Sequence, residues 1–336
     1  MSNSDIDRPL VTFAVFAYNQ EAFIREAIEG AFSQTYEPLE IILSDDCSGD
    51  RTFEIMQEMA AAYNGPHCVM VRRNAANQGL AMHVQSVANE MSGKFLVVAA
   101  GDDISRSDRV ETLMDAWVAS DRRAVVLHSW THAEYVDGSK PDETIYFKID
   151  DEINIEWRVK NRKGSILAPT AAYHRCLFDD FPPLIGGSNI EDGPMIMRGL
   201  LQGSFLGVPK PLVRQRKLNV SLGSGYSISN PIRWNSFVRS KIISQFNKLQ
   251  DIGSAQKSSH SGTLERSIHR DIRRLSKSTL PVTIEKISLA YKVKVFFQML
   301  FYYPGTYSLS RKVSFCLDFC ELGWLTSSLK KESVRK

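Results

Sequence analysis

Residues 11–52 read VTFAVFAYNQEAFIREAIEGAFSQTYEPLEIILSDDCSGDRT, and this stretch decides the fold. Its first run, Val11–Phe16, is mostly apolar and predicts a strand, whereas residues 20–33 place their apolar side chains on one side of a helix. Leu39–Leu43 predicts a second strand. A helix between two such strands is typical of the βαβ unit, in which the strands are parallel.

The alternation of strands and helices continues to about residue 130. Further helices are predicted near residues 52–63 and 79–91, and further strands over residues 68–72, 95–100, 124–129 and 145–149. The run FLVVAA at residues 95–100 has no polar side, as a strand buried on both faces of a sheet requires. We therefore predict an α/β fold with a mostly parallel sheet flanked by helices.

The character of the sequence changes near residues 225–232, after which basic, Ser-rich and helical patterns dominate. We predict one domain over residues 1–229, in two halves at about 10–120 and about 121–229, followed by a mostly helical extension over residues 230–336. A chain of 336 residues is long enough for such a domain and an appendage.

Charge is distributed unevenly between these two parts. Residues 230–336 hold 19 Lys and Arg against 7 Asp and Glu, a balance of +12, whereas residues 1–229 have a balance of −9. The net charge of +3 is too small to indicate nucleic-acid binding, so we expect no nucleic-acid partner. The basic extension fits a contact with an anionic membrane surface through the apolar, Lys-containing residues 284–303, solvated basic helices, or an oligomer contact.

Cysteine usage and the apolar runs bear on the compartment. The five cysteines form no CxxC motif and no paired framework, as expected in a reducing compartment. The first ten residues, MSNSDIDRPL, contain no apolar segment, and no run of about 18 apolar residues occurs. We therefore expect a cytoplasmic protein, with peripheral contact at the inner face of the cell membrane as an option.

Four predicted strands are each followed by side chains suited to binding. These strand ends carry Ala17-Tyr18-Asn19, Asp45-Asp46, Arg72-Arg73 and Gly101-Asp102-Asp103. The carboxyl ends of parallel strands lie at one edge of a sheet, which is where open α/β sheets bind their ligands. This convergence predicts a binding site at that edge.

The two carboxylate pairs of this edge also have structural interpretations. Asp102 and Asp103 repel each other unless a cation or donors hold them, which favours a hard divalent ion. An Asp at this place equally suits the cap of a helix that begins near residues 105–109. Asp45 and Asp46 suit the base N–H or ribose hydroxyl of a nucleotide, and equally an Asx-turn.

The remaining candidate residues likewise have both a functional and a structural interpretation. Tyr18 suits stacking on a flat base or simple packing, and Arg73 suits phosphate or a solvated edge. Glu191-Asp192 precedes an apolar helical run, where it fits a general base that deprotonates an acceptor hydroxyl or a helix cap. No P-loop, GxGxxG or GxSxG motif occurs, which disfavours NTPase, dinucleotide-binding and hydrolase functions.

Together these motifs resemble the inverting family-2 glycosyltransferases with the GT-A fold, particularly bacterial enzymes of surface-polysaccharide synthesis. Residues 11–52 are similar to the family's opening almost without gaps, and NAANQGLAMHVQSVANEMSGKFLVVAAGDDISRSDRVE, residues 74–111, is similar to the segment that leads into its metal site. The resemblance is weaker over residues 164–184, 188–203 and 213–225. It covers residues 10–225, and the motifs are specific only in combination.

The resemblance implies a role for each candidate residue. It implies a nucleotide-sugar donor, with uracil the commonest base, held by Ala17, Tyr18, Asn19, Asp45, Asp46, Arg73, Gly101, Asp102, Arg214 and Arg216. It implies Mn²⁺ or Mg²⁺ at Asp102 and Asp103 beside the diphosphate. It further implies that Asp192 is the catalytic base and that Glu191 orients that base or the acceptor.

Three departures from the family pattern qualify these roles. Ala100 stands where many members have an earlier Asp, and Phe16-Ala17 replaces the Pro often found before Tyr-Asn. Arg216 replaces a family His, so a metal-binding imidazole is not expected there, while an Arg suits direct pairing with diphosphate oxygens.

The predicted function is transfer of a sugar from a nucleotide-diphosphate sugar to a hydroxyl of a glycan or a lipid-linked saccharide, with inversion at the anomeric carbon. Two other functions are kept as hypotheses. One is a nucleotide-sugar-binding protein without transferase activity, which would have no use for the base Asp192. The other is a nucleotidyltransferase, which would be expected to carry a Gly-rich basic loop after Phe16 and lacks one.

Overall fold

The structure of this protein is a computed structural model. It describes residues 8–138, 140–145, 168–184, 186 and 188–217, residue 268, and residues 240–252 apart from 242, 246 and 249. The strands of this part are β1 Val11–Ala17, β2 Leu39–Asp45, β3 Cys68–Arg73, β4 Phe95–Ala100, β5 Ile104–Ser105, β6 Ala124–Tyr135, β7 Glu143–Ile145, β8 Ala172–His174 and β9 Ser204–Lys217. The helices are α1 Ile24–Phe32, α2 Thr52–Ala62, α3 Leu80–Glu90, α4 Arg109–Ala119, α5 Cys176–Asp179 and α6 Asp192–Gln202, with a 3₁₀ turn at Ala168–Thr170. The described residues between 240 and 252 are also helical.

The strands form one mixed sheet in the order β3-β2-β1-β4-β8-β6-β9-β5, with β7 paired to β6. At one side of the sheet β3, β2, β1 and β4 are parallel, as the βαβ pattern predicts. Strand β8 is antiparallel to both of its neighbours, β4 and β6, whereas β6 and β9 pair in parallel. The predicted α/β fold with a mostly parallel sheet is confirmed, and an antiparallel strand lies within it.

The sheet is buried on both faces because β1 sends apolar side chains alternately to each. Phe13 and Val15 lie on one face, in a cluster with apolar residues of α1 and α4. Ala14 and Phe16 lie on the other, in a cluster with residues of α3 and α6. This arrangement leaves the ends of the strands, rather than their faces, available for ligands.

The predicted elements occur close to their expected places, and the differences in extent have local reasons. Helix α1 begins at Ile24 rather than near residue 20, because residues 21–23 form a turn. Strand β6 continues to Tyr135, beyond the predicted end at residue 129, because it pairs along its length with β9. Of the strand predicted at residues 145–149, only Ile145 is described, and it belongs to β7.

Most predictions for the C-terminal extension fall outside the described residues, including the boundary at 225–232 and the apolar segment at 284–303. Within the part of the chain that the structure covers, no helix is both long enough and apolar enough to cross a membrane. The helical residues between 240 and 252 pack on α6, where Arg198 Nη2 and Asp251 Oδ1 lie 3.1 Å apart with both side chains buried.

Candidate functional site

The ends of the four parallel strands meet at one edge of the sheet, as predicted. Ala17 of β1 lies beside Asp45 of β2, and Asp45 lies beside Arg73 of β3. On the other side of β1, Phe16 pairs with Ala100, the residue before Gly101. The register alone therefore brings the sequence-predicted donor residues of these strands into one row.

Tyr18 lies in the loop after β1, and this loop is hydrogen-bonded to the loop after β2. The Asn19 N–H donates to Ser48 Oγ at 2.8 Å, and the Gly49 N–H donates to Asn19 Oδ1 at 2.8 Å. Asn19 has a φ of 53°, a left-handed conformation that Asn tolerates better than most residues. Tyr18 is 47% exposed on this fixed backbone. Its ring is thus available for stacking instead of filling the core.

Asp45 is buried and, in place of the Asx-turn bond two residues on, accepts a hydrogen bond from Ser48 three residues on; it also pairs with a cation. Asp45 Oδ2 accepts the Ser48 N–H at 3.0 Å and lies 3.2 Å from Arg73 Nε, while the Ser48 hydroxyl donates to Oδ1. Arg73 also donates to the Ser48 carbonyl at 2.5 Å, and its guanidinium lies over the Phe53 ring. Asp45 and Arg73 therefore form one rigid polar unit at the strand ends.

Asp46 directs its carboxylate into the protein. Its Oδ1 accepts hydrogen bonds from Asn74 Nδ2 at 2.7 Å and from the Gln78 N–H at 2.9 Å, and its Oδ2 accepts one from the Gly79 N–H at 3.0 Å. Asp46 is 3% exposed. These contacts order the loop between β3 and α3, so the structure gives Asp46 a positioning contact and separates it from Asp45.

Sequence reasoning missed a buried polar group behind this row. His83 Nε2 lies 2.5 Å from Ser44 Oγ, and Arg72 Nη1 donates to the same hydroxyl at 2.7 Å. Burial, with Arg72 as a smaller cause and Asp46 opposing, lowers the pKa of His83 to about 4. The imidazole is hydrogen-bonded to the hydroxyl of Ser44, the residue that precedes Asp45. The sequence could have indicated this group, because His83 is a polar residue on the apolar side of the predicted helix 79–91.

Gly101 lies at a contact where a side chain does not fit. A Cβ at this position would lie 2.4 Å from Gln20 Oε1 and 2.8 Å from the Ala17 Cβ. The Gly101 N–H donates to the Phe16 carbonyl at 2.9 Å. This close approach of β1 and the end of β4 places the backbone of Asp102 at the row of strand ends.

The carboxylate pair that follows is not a helix cap. The helix α4 begins at Arg109, and its N-cap residue is Asp108. Asp103 is buried, and its Oδ1 accepts the backbone N–H of Arg216 on β9 at 2.9 Å. Burial raises the pKa of Asp102, and burial together with the Asp102 charge holds the pKa of Asp103 well above its usual range. Burial therefore makes it costly for both carboxyl groups to be charged at once, even with Arg216 nearby.

Two arginines of β9 face this pair and a glutamate of α1. Arg216 Nη1 donates to the Asp102 carbonyl at 3.2 Å, and Arg216 Nη2 lies 2.6 Å from Glu26 Oε2. Arg214 contacts the same Glu26 oxygen at 3.5 Å and Glu134 Oε2 at 3.3 Å. The structure thus brings both predicted β9 arginines to the strand ends, and adds Glu26, which sequence reasoning missed.

The surroundings of Asp102 and Asp103 fit a hard divalent cation that receives its other ligands from outside the protein. No group of three or more His, Cys, Asp or Glu side chains within the described residues is arranged to hold a metal. Two buried oxygen donors with raised pKa values favour a cation, and Mg²⁺ in particular is commonly bound by one or two carboxylates plus water and substrate phosphate. Asp102 is less buried than Asp103 and is the better placed of the two.

Glu191 and Asp192 lie where α6 begins, and Glu191 makes no capping hydrogen bond. Glu191 is 2% exposed, and its Oε1 has no partner among the described residues. Burial, and after it the charge of Asp192, raises the pKa of Glu191 to about 8. Asp192 is half-buried and accepts the Gly193 N–H at 2.6 Å. Two neighbouring carboxyl groups thus have different environments, the arrangement by which acid and base roles are separated.

The loop before α6 is attached to the donor side of the sheet. The Ala81 N–H donates to the Ser188 carbonyl at 3.1 Å, and a Cβ on Gly79 would lie 2.9 Å from Asn189 Oδ1. Gly79 is the residue whose N–H is held by Asp46. A short series of contacts therefore connects the end of β2 with the loop that carries Asp192.

A cavity of about 410 Å³ lies elsewhere, among Leu10, Gly93, Lys94 and His174. These residues precede β1 and β4 or end β8, so the cavity is at the amino ends of the parallel strands. Because ligands of open α/β sheets bind at the carboxyl ends, we assign the site to the polar row and not to this cavity.

The sequence of this chain is similar to those of known proteins. Residues 12–179 match the model of "Glycosyl transferase family 2". EpsE of Bacillus subtilis (strain 168), provisionally named a glycosyltransferase, is 33% identical over 103 residues, 31% of this chain and 36% of that protein. An uncharacterized glycosyltransferase of Haemophilus influenzae is 32% identical over 106 residues, 32% of each chain. These matches span about a third of the length of the curated relatives.

A solved structure shares the fold. Residues 1–349 of TarS from S. aureus, in complex with UDP-GlcNAc, superpose with a TM-score of 0.55 at 19% sequence identity, covering 87% of this chain and 80% of that one. At this identity the likeness concerns the fold alone, and it agrees with the GT-A fold that the sequence predicts.

Proposed function

The chain belongs to glycosyl transferase family 2 and carries the domain of that family, and from this premise we propose that it transfers a sugar from a nucleotide-diphosphate sugar to an acceptor hydroxyl. One observation carries the proposal. The row of strand ends that holds Tyr18, Asp45 and Asp102 is connected through Gly79 to the loop before Asp192. This connection supports a site in which donor-binding groups and a base act together at the carboxyl ends of the strands.

We assign the nucleotide to the first three strand ends. Tyr18 offers an exposed ring for stacking on a base, and it lies between Ala17 at the end of β1 and Asn19, whose hydrogen bonds fix the loop backbone. Asp45 reads the base or ribose through its remaining acceptor capacity, with Arg73 fixing its orientation. Uracil is the proposed base, in keeping with the family resemblance, and TarS, a protein of the same fold, was solved with UDP-GlcNAc.

We assign the diphosphate to the end of β4. Mn²⁺ or Mg²⁺ held by Asp102, with Asp103 behind it, would neutralise the departing diphosphate as a Lewis acid. Gly101 lets the end of β4 pack closely against Ala17, which brings Asp102 to the row of strand ends. Arg216, whose guanidinium binds the Asp102 carbonyl, and Arg214, which contacts the same Glu26 oxygen as Arg216, add positive charge that would stabilise an anionic leaving group.

We assign the acceptor side to the start of α6. Asp192 removes the proton from the acceptor hydroxyl as that oxygen attacks the anomeric carbon from the face opposite the diphosphate, which inverts the configuration. Glu191, with its pKa raised to about 8, keeps a proton at neutral pH and leaves one negative charge in the pair. Burial, with the charges of Glu191 and Asp192 as further causes, also raises the pKa of the Tyr173 hydroxyl, which keeps it neutral behind the pair.

The acceptor that we propose is a glycan or a lipid-linked saccharide of surface-polysaccharide synthesis. The basic residues 230–336 would hold the enzyme at an anionic membrane surface on the cytoplasmic side. Co-sedimentation of the full chain with vesicles containing anionic phosphatidylglycerol, at low salt, tests this part. If the protein stays in the supernatant while it binds donor normally, the membrane contact should be dropped and the transfer reaction kept.

The decisive experiment compares Asp192→Asn with Asp115→Asn, an exposed α4 carboxylate, as the matched control. Release of a nucleoside diphosphate from a panel of nucleotide sugars, in the presence of Mn²⁺ and acceptor extracts, measures transfer or hydrolysis. Loss of the general base should lower the rate by roughly 10²–10⁴-fold, while donor binding by calorimetry stays near the wild-type value. Turnover of Asp192→Asn at the wild-type rate would sink the assigned base.

The same assay separates the rival functions. A nucleotidyltransferase would consume a nucleoside triphosphate and release pyrophosphate in place of the nucleoside diphosphate. A binding protein without transferase activity would bind the donor and release nothing, and Asp192→Asn would then change neither quantity.

A further inference from the structure

The guanidinium of Arg216 is enclosed on most sides. Arg216 is 7% exposed, its Cζ lies 5.4 Å from the centre of the Phe23 ring, and Nη1 donates to the Asp102 carbonyl. Its charged partner is Glu26, whose Oε2 lies 2.6 Å from Nη2. The group is therefore held by an aromatic ring and a backbone carbonyl, and Glu26 is the carboxylate in direct contact with its charge, with Asp102 also near enough to interact.

That carboxylate is the exposed partner of the pair. The Glu26 side chain is 48% exposed, whereas that of Arg216 is 7% exposed. The same Glu26 oxygen also lies 3.5 Å from Arg214 Nη2. An ion pair with a half-exposed partner contributes little to stability, so the Glu26 carboxylate can be replaced at small cost, whereas the buried arginine needs an anion at all times.

A diphosphate is a better partner for this arginine than a carboxylate. It carries more charge, and the planar fork of Arg binds phosphate oxygens in pairs. The Glu26 carboxylate and a phosphate group cannot both lie against Arg216, because like charges at this distance repel. The carbonyl of Asp102, which fixes the other side of the guanidinium, belongs to the residue we assign to the donor diphosphate.

We propose that Glu26 is an anionic placeholder, which occupies Arg216 in the free enzyme and is displaced when the diphosphate of the donor binds there. The inference rests on the proposed function, since it concerns the same donor site. The inference adds that Arg216 exchanges its partner when the donor binds. Because the Arg216–Glu26 ion pair is broken for each diphosphate that binds, this exchange lowers the affinity for the donor.

Calorimetric titration with UDP, GDP and ADP, with and without Mn²⁺, tests the exchange. Glu26→Gln keeps the shape of the side chain but removes the competing charge, so the affinity for the nucleoside diphosphate that the wild type binds should rise roughly two- to fivefold. Glu29→Gln is the matched control, because Glu29 is exposed on the same helix and the affinity should not change. In an Arg216→Gln background, Glu26→Gln should lose its effect.

The outcomes distinguish this inference from the function on which it rests. If the wild type binds a nucleoside diphosphate but Glu26→Gln binds it equally or more weakly, the placeholder is wrong and the donor site stands. If Glu26→Gln strengthens binding equally with and without Arg216, a general charge effect replaces the exchange. If the wild type binds none of the three nucleotides, the donor site itself is refuted and the placeholder with it.

Discussion

Replacing Glu191 with Gln should make the stability of the protein less dependent on pH above pH 6.5. Burial raises the pKa of Glu191 from 4.5 to about 8, so the folded state holds this proton more tightly than the unfolded chain. The resulting stabilisation is complete below the unfolded pKa and is lost as pH rises through the folded one. One proton of difference corresponds to about 1.4 kcal/mol per pH unit, so the wild type should lose roughly 2 kcal/mol between pH 6.5 and 8.

Two histidines determine the lower limit of that window. Burial lowers the pKa of His83 and of His128 to about 4, so each of them contributes stability above its unfolded pKa and loses it as pH falls toward 4. Their effect is opposite in sign to that of Glu191 and is complete above about pH 6.5, the usual pKa of His. Asp103 also has a raised pKa, but it is present in the wild type and in the variant alike, so the difference between the two proteins from pH 6.5 to 8 isolates Glu191.

Urea unfolding followed by the fluorescence of the buried Trp117 measures the free energy of unfolding at several pH values. The free energy of unfolding of Glu191→Gln, relative to that of the wild type, should increase as pH rises. Glu29→Gln, at an exposed position, should differ from the wild type by a constant amount. A difference for Glu191→Gln that is equally constant across the window would refute the raised pKa and the proton that we place on Glu191.

Two further substitutions test the packing that holds the site. Gly101→Ala should cost about 1–3 kcal/mol and weaken donor binding, because the new Cβ would lie 2.8 Å from the Ala17 Cβ, which cannot rotate away. Gly49→Ala is the control, because its new Cβ would lie 3.9 Å from the nearest atom, Asn19 Oδ1, and equal thermal shifts for the two variants would contradict the argument. Arg198→Met should cost about 3–5 kcal/mol in urea unfolding, because it leaves Asp251 buried without its cation. Adding Asp251→Leu should recover much of that loss, and a double variant as unstable as the single one would show that the charge is not the cause.

The parallel half of the sheet could be predicted from the sequence because its information is local. The run Val11–Ala17 and the run Phe95–Ala100 are short, apolar and separated by helical periodicity, and the pairing of such strands in parallel follows from the connections between them. The convergence of Tyr18, Asp45 and Asp102 at one edge follows from that topology alone, without any knowledge of side-chain contacts.

Contacts between distant parts of the chain could not be predicted in this way. Asp103 binds the backbone of Arg216, and Arg216 pairs with Glu26, although no periodicity or spacing connects these positions. The same limit applies to Asp45 and Asp46, which are neighbours with identical chemistry. Only the structure shows that one pairs with Arg73 while the other holds the loop before α3.

The antiparallel strand β8 has a consequence for the order in which the sheet can fold during synthesis of the chain. Strands β4 and β6 both pair with Ala172–His174, so the edge of β4 that carries Phe95, Leu96 and Val97 has no hydrogen-bonding partner until that segment is synthesised. The first four parallel strands can assemble while the chain is still growing, but the half that carries Asp192 can join them only afterwards. A nascent chain that stalls before Ala172 would expose an apolar strand edge, and such an edge invites pairing with other chains.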